Sequence, residues 1–163
     1  MFRVGIITAS DSGYAGKRED ESGAVIKEIV EANGYEVTSY VILPDDRNML
    51  ADELKRLCDN DIADLVLTTG GTGFSPRDCT PEATLDIAEK QVPGIAEAMR
   101  YSSMQITKRA MLSRALAAIR GKALIVNLPG SPKAVRENLE FIIQELPHGL
   151  EVLKGHVSNC ARK

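Results

Sequence analysis

Apolar positions along this chain switch between two spacings. The run Leu65-Val66-Leu67 is apolar on both faces, which predicts a buried parallel strand, and residues 4–9 are a first strand candidate. Residues 36–43 are rich in β-formers and end at Pro44-Asp45-Asp46. Between these runs the apolar residues fall three and four apart. Ala24, Val25, Ile29 and Val30 predict a helix stopped by Gly34. Met49, Leu50, Leu54 and Leu57 predict the next, capped by Asp45 or Asp46. Thr80 is the expected cap of a third helix, with Pro81 in its first position and Glu82 in its first turn. That helix continues through Leu85, Ile87 and Ala88 until Pro93-Gly94, and residues 95–104 form another. Residues 116–120 and 122–128 flank Gly121, which predicts strands meeting at a tight turn. Pro129-Gly130-Ser131-Pro132 then opens a long helix carrying Leu139, Ile142, Ile143 and Leu146. With no repeat, linker or low-complexity tract, the alternation predicts one α/β domain over residues 1–163.

This pattern puts candidate chemistry at four strand exits. In open α/β sheets, ligands collect beyond the carboxyl ends of the strands. The loops at Ser10-Asp11, Pro44-Asp45-Asp46, Thr69 to Asp78 and Leu128 to Pro132 share one edge if these strands are parallel. Thr68-Thr69-Gly70-Gly71-Thr72-Gly73 would let backbone N–H groups approach a phosphate closely. Asp78 works against a plain anion site, because a carboxylate repels phosphate unless a cation lies between them. Two acids at separate exits, Asp45 and Asp78, make a shared Mg²⁺ site the economical reading. Judged locally, Asp45 serves equally well as a helix cap, Asp78 as the partner of Arg77, and Ser10, Asp11 and Asp20 as loop residues satisfying backbone donors. The glycines lack both GxxxxGK[ST] and GxGxxG spacing, so a standard P-loop and a dehydrogenase are disfavoured.

Composition narrows the classes further. A chain that is 44% hydrophobic and 26% charged has the make-up of a folded globular protein rather than a disordered one. A net charge of −3 gives no reason to expect nucleic-acid binding. No apolar run approaches the roughly 20 residues that span a membrane, and residues 3–9 are too short for a signal-peptide core. Cys58, Cys79 and Cys160 are odd in number and widely spaced, so a disulfide framework or zinc site is not expected and a reducing cytoplasm fits. His148 and His156 both lie near the C-terminal end, away from the candidate loops.

Taken in order, these residues resemble a known family. Ser10-Asp11 with Gly16, Asp20, Ser22 and Gly23, then Pro44-Asp45-Asp46, TTGGTG at 68–73, Arg77-Asp78 through Thr80-Pro81-Glu82-Ala83, and Leu128-Pro129-Gly130-Ser131-Pro132-Lys133 follow the family order. They look like the MogA/MoaB group of molybdenum-cofactor biosynthesis proteins, the molybdopterin adenylyltransferases. The resemblance spans nearly the whole chain; TTGGTG followed by RDxTPEA is its specific part, and PGSP alone would be weak.

The resemblance implies a three-layer α/β/α fold with a mostly parallel sheet, a homotrimer and a possible hand-over of product to a molybdenum insertase. It implies attack of the molybdopterin phosphate on Mg–ATP, giving adenylyl-molybdopterin and pyrophosphate. The family's acidic pair falls on Asp45 and Asp78, as Mg²⁺ ligands that orient the phosphates. Thr69 and Gly70, Gly71, Thr72 and Gly73 would cradle nucleotide phosphate. Ser10, Asp11, Asp20, Pro129, Gly130 and Ser131 would line the nucleotide or pterin pocket. A molybdopterin-binding module without transferase activity and a nucleotide pyrophosphatase of related fold are the alternatives; retention of both Asp45 and Asp78 weighs against the first.

Overall fold

The computed structural model describes residues 1–156, so Cys160 lies outside the described residues. The order is β1 (Arg3–Ala9), α1 (Asp11–Tyr14), α2 (Glu21–Ala32), β2 (Glu36–Leu43), α3 (Arg47–Asp59), β3 (Leu65–Thr69) and α4 (Thr80–Ile87). β4 (Lys90–Gln91), α5 (Pro93–Met104), a 3-10 turn at Lys108–Leu112, β5 (Ala117–Arg120), β6 (Ala123–Leu128), α6 (Pro132–Ile142) and α7 (Leu146–Leu153) complete it. One sheet of order β2-β1-β3-β6-β5-β4 results. β2, β1, β3 and β6 are parallel, while β5 runs antiparallel to β6 and β4 antiparallel to β5.

The double-sided apolar runs explain the layering. Val4, Ile6, Leu65, Leu67, Leu124 and Val126 pack on one face against α2, α5, α6 and α7. Ile7, Val66 and Ile125, one register position along, pack on the other against α3 and α4. Every residue of β3 is buried, as befits a central strand covered on both faces. The expected three-layer α/β/α arrangement is therefore present, and the exits of β1, β2, β3 and β6 open on one edge.

Several local expectations need correction. Thr80 does not cap α4: Cys79 holds the cap position without a side-chain bond, and Thr80 is the first helical residue. Of Asp45 and Asp46, it is Asp46 that caps α3, accepting from the Met49 amide at 2.9 Å. The long C-terminal helix is two helices, because Pro147 has no N–H to give the Ile143 carbonyl and Leu146 starts α7 instead. The helix expected to run to Pro93 ends at Ile87, and the two-residue β4 extends the sheet before α5. The loop after β1 contains the single turn α1.

At the opposite edge of the sheet, Asp64 is 2% exposed and fastens three segments. It accepts from the Arg3 amide at 2.8 Å and the Arg3 guanidinium at 2.8 Å, and pairs with Lys154 Nζ at 2.6 Å. Burial opposes its ionisation most strongly, but the Arg3 and Lys154 bonds together outweigh it and hold the carboxyl below the usual range. Asp64→Asn is expected to lower stability by about 2–3 kcal/mol, less than a fully buried pair because both cations are partly exposed. The stabilisation is complete above the unfolded carboxyl pKa of about 4 and fades as pH falls towards the depressed folded value. Urea melts at pH 7 and pH 3 check this: the gap between variant and wild type should narrow at the lower pH.

Candidate active site

The sheet order changes direction between β1 and β3, and crevices form at such points. Thr8 and Thr69 lie side by side in register there, and Thr69 pairs onward with Leu128. Gly70 and Gly71 follow with φ of 90° and 69°, a left-handed path that glycine follows without a Cβ penalty. The two substitute badly for different reasons. A Cβ on Gly70 would sit 2.3 Å from the Ala9 carbonyl oxygen, whereas one on Gly71 would meet Thr80 Oγ1 at 2.3 Å. Thr69 Oγ1 donates to the Pro129 carbonyl at 2.7 Å, and Ser22 Oγ to that of Gly130 at 2.7 Å. These bonds draw the exit of β6 over the exit of β3.

A cleft of about 330 Å³ lies above this junction. Ser10, Asp20, Thr69, Gly70, Gly130 and Ser131 all line it, together with Arg18 and Thr8. Three of them also cap helices: Ser10 accepts from Gly13 N at 3.0 Å, Asp20 from Gly23 N at 2.9 Å, and Ser131 from Ala134 N at 3.2 Å. The starts of α2 and α6 therefore converge on the cleft. Asp20 is held further by Thr8 Oγ1 at 2.7 Å and the Tyr40 hydroxyl at 2.5 Å. With its oxygens engaged in this way, it shapes the wall rather than standing free.

Beside the cleft, the acids of three loops gather. The Asp45 amide donates to Asp11 Oδ1 at 3.0 Å and the Asp11 amide to Asp45 Oδ2 at 3.3 Å. Arg77 grips Asp11 through two bonds of 2.9 Å, which hold that carboxyl below its ordinary range with help from the Asp45 amide. Asp78 Oδ2 accepts from the amides of Gly73 at 3.0 Å and Ser75 at 3.2 Å, which fixes the glycine loop. Burial pushes the Asp45 carboxyl above the usual range, and the charges of Asp11 and Asp78 push the same way against the Asp11 amide and Arg77. Asp45 Oδ1 is buried without a hydrogen-bond partner among the described residues.

That orphaned, electrostatically strained oxygen suits a hard cation. Among the described residues, no group of three or more His, Cys, Asp or Glu could hold a metal by itself. Magnesium does not require one: it is held through one or two carboxylates with substrate phosphates completing the shell. Asp45 and Asp78, beside backbone exposed by glycine, fit that kind of site.

Residues 5–148 match the family model described as a probable molybdopterin binding domain. The chain belongs to this family. A molybdopterin adenylyltransferase of Helicobacter pylori is 42% identical, over 99% of this chain and 93% of its own. The structure of the molybdopterin biosynthesis enzyme MoaB from Thermus thermophilus superposes with a TM-score of 0.90 at 46% identity, covering 95% of this chain and 98% of that one. The tungsten cofactor synthesizing protein MoaB from Pyrococcus furiosus gives 0.86 at 36% identity, covering 94% and 98%.

At this candidate site, some contributors carry no signal in the sequence. Arg114 lies in no motif, yet its Nε donates to the Gly73 carbonyl at 2.8 Å and its Nη2 to the Asp78 carbonyl at 3.1 Å. It also pairs with Glu82, so one side chain braces the glycine loop against the start of α4. A second cleft of about 250 Å³ lies between α5, the 3-10 turn and α6, with Arg100, Arg109, Ser113 and Asn138 in its wall. Pro129 borders this second cleft and Gly130 the first, so the loop after β6 divides them. Gly71, Thr72 and Gly73 belong to the braced loop rather than to either wall, and Asp11, expected to line the pocket, stands beside the first cleft, held by Arg77.

Proposed function

We propose that this chain transfers the adenylyl group of Mg–ATP to the terminal phosphate of molybdopterin. The observation that carries the reading is that the unpaired Asp45 Oδ1 and Asp78, from two strand exits, both lie against the glycine backbone: a Cβ on Gly71 would fall 3.2 Å from Asp45 Oδ1 and one on Gly73 3.0 Å from Asp78 Oδ2. The names of the Helicobacter and Thermus relatives support the substrate class. A phosphate oxygen of molybdopterin attacks the α-phosphorus of ATP, and the bond from that phosphorus to the bridging oxygen breaks. Pyrophosphate leaves with the electron pair, and no covalent enzyme intermediate is needed. Bound Mg²⁺ supplies charge neutralisation on the phosphates. The chain's residues do the rest: Asp45 and Asp78 would hold the cation, the backbone of Gly70 to Thr72 would position phosphate while the Gly73 amide holds Asp78, and Ser10, Asp20 and Pro129 to Ser131 shape the adjoining pocket with Asp11 beside it. The clefts on either side of the loop after β6 give two substrates adjacent places.

The proposed assembly is a homotrimer that acts in the cytoplasm and passes its product to a molybdenum insertase. No helix among the described residues is long and apolar enough to cross a membrane, which is compatible with that location.

The proton inventory supports transfer over hydrolysis. His148 borders a groove with Leu124, at the start of β6 and the far edge of the sheet, and His156 pairs with Glu151 at 2.9 Å. Neither serves as a base for water beside the glycine turn. A phosphate monoester is already largely ionised near neutral pH and needs little deprotonation to attack. Pyrophosphate release from ATP should be very slow without molybdopterin and should rise in step with adenylylated pterin when it is added. Rapid acceptor-independent cleavage, with products identified by mass, would instead make the protein a nucleotide pyrophosphatase.

A further inference from the structure

In the neighbourhood of the glycine loop, the Thr80 hydroxyl has no bonding partner among the described residues. Thr80 is 1% exposed, and its Oγ1 is buried and unpaired. Its backbone is nevertheless locked. The Thr80 amide donates to the Gly71 carbonyl at 3.1 Å, and Thr84 Oγ1 donates to the Thr80 carbonyl at 2.9 Å. Thr84 is itself tied to Asn127 Nδ2 at 3.0 Å, and Asn127 to Thr68 at 3.0 Å. Nearby threonines thus find partners, and Thr80 is held where it finds none. Leaving a buried hydroxyl unpaired costs stability, so a binding role offers a physical reason to keep one.

The second orphan in this region is Asp45 Oδ1. Both atoms lie against Gly71: a Cβ there would be 2.3 Å from Thr80 Oγ1 and 3.2 Å from Asp45 Oδ1, which brings the two oxygens into one neighbourhood. The two oxygens come from different elements, the loop before α3 and the first turn of α4, and Asp78 sits two residues ahead of Thr80. A neutral hydroxyl oxygen beside carboxylates is a donor set for a hard divalent cation, with no histidine or thiol among the proposed ligands.

We propose that Thr80 Oγ1 is a third protein ligand, beside Asp45 and Asp78, for the divalent cation of this site. The proposal rests on the metal-dependent reading above and adds a residue to it. Thr80 acts here through its hydroxyl, while the helix it begins is organised by its backbone.

The test is titration of Mn²⁺ alone into the full chain, with free ion read by electron paramagnetic resonance, for wild type, Thr80→Val, Thr80→Ser and Asp45→Asn. Outer-shell partners already contribute about 10–100-fold to metal affinity, so losing a direct ligand should weaken Mn²⁺ at least about tenfold. Thr80→Val and Asp45→Asn should both show that loss, and Thr80→Ser should stay near wild type. Thr80→Val should also melt no lower than wild type, because it removes a hydroxyl that bonds nothing. Wild-type affinity in Thr80→Val, with affinity lost in Asp45→Asn, would overturn the Thr80 assignment and leave the carboxylate site standing. A Thr80→Val protein melting well below wild type would overturn it too, by showing that the hydroxyl is structural. A wild-type chain without Asp45-dependent Mn²⁺ binding, both alone and with a non-hydrolysable ATP analogue present, would remove the metal reading and the Thr80 ligand together.

Discussion

Changing Asp45 and Asp78 together to Asn should reduce adenylyl transfer by at least about 10³-fold while leaving a folded protein. Removing a single preorganised electrostatic contributor commonly costs about 10²–10³ in turnover, and both proposed cation ligands go here. The fold should tolerate the change because Asn nearly matches Asp in shape. After Asp78→Asn, the side-chain carbonyl oxygen that remains can still accept from the Gly73 and Ser75 amides that Asp78 Oδ2 serves at 3.0 and 3.2 Å. Asp45→Asn should even raise the melting temperature. Burial and the neighbouring acids raise the Asp45 carboxyl above its ordinary range, so its charge opposes folding above that raised pKa. The opposition disappears as pH falls through it, and the stability gain of the Asn variant should shrink in acid. Such a trade of stability for activity is expected of a functional carboxylate. Product formation by mass spectrometry and thermal melts at pH 7 and pH 4 measure both halves. A double variant with full transfer activity would remove the metal proposal.

The same residues show how far the chain can be read without coordinates. The exits of β1, β3 and β6 are legible because strands that are apolar on both faces lie inside a sheet and inner strands joined by helical crossovers are parallel, whereas β2, an edge strand with alternating burial, is placed by the helices before and after it. Asp45 and Asp78 stand out for the same reason, as acids placed at exits. What escapes is set by contacts distant in sequence. Arg114 reaches Gly73 across 41 positions, and no local pattern marks an arginine that donates to loop carbonyls. Thr80 reads as a cap because Thr followed by Pro is a strong local cap signal. The Ala83 amide donates to the Cys79 carbonyl instead, which draws the helix start one residue back. Pro147, by contrast, is a visible break between α6 and α7 that the continuous apolar spacing of Leu139, Ile142, Ile143 and Leu146 conceals.

Gly70→Ala should cost far more stability than Gly34→Ala, although both glycines have φ well above zero, 90° and 80°. Placing a side chain in the left-handed region costs about 1–2 kcal/mol wherever it occurs. Around Gly34 that is nearly the whole penalty, because a Cβ there meets nothing within 4 Å. At Gly70 the new Cβ would lie 2.3 Å from the Ala9 carbonyl oxygen. Backbone in the central strand pair cannot swing aside as a long side chain can, so about 1–3 kcal/mol of overpacking is added. The sum, about 2–5 kcal/mol, is a large part of the about 5–15 kcal/mol that stabilises a typical domain. Relief would come from parting the exits of β1 and β3, which moves Ser10 and the Gly70–Gly73 turn away from each other. Gly70→Ala should therefore also lose nucleotide affinity, whereas Gly34→Ala, at the far end of α2, should keep it. Urea denaturation and calorimetric ATP titration of the two variants make the comparison. Equal stability losses would mean that Ala9 yields to the new methyl and that the close approach of the two strand exits is not a rigid feature of the site.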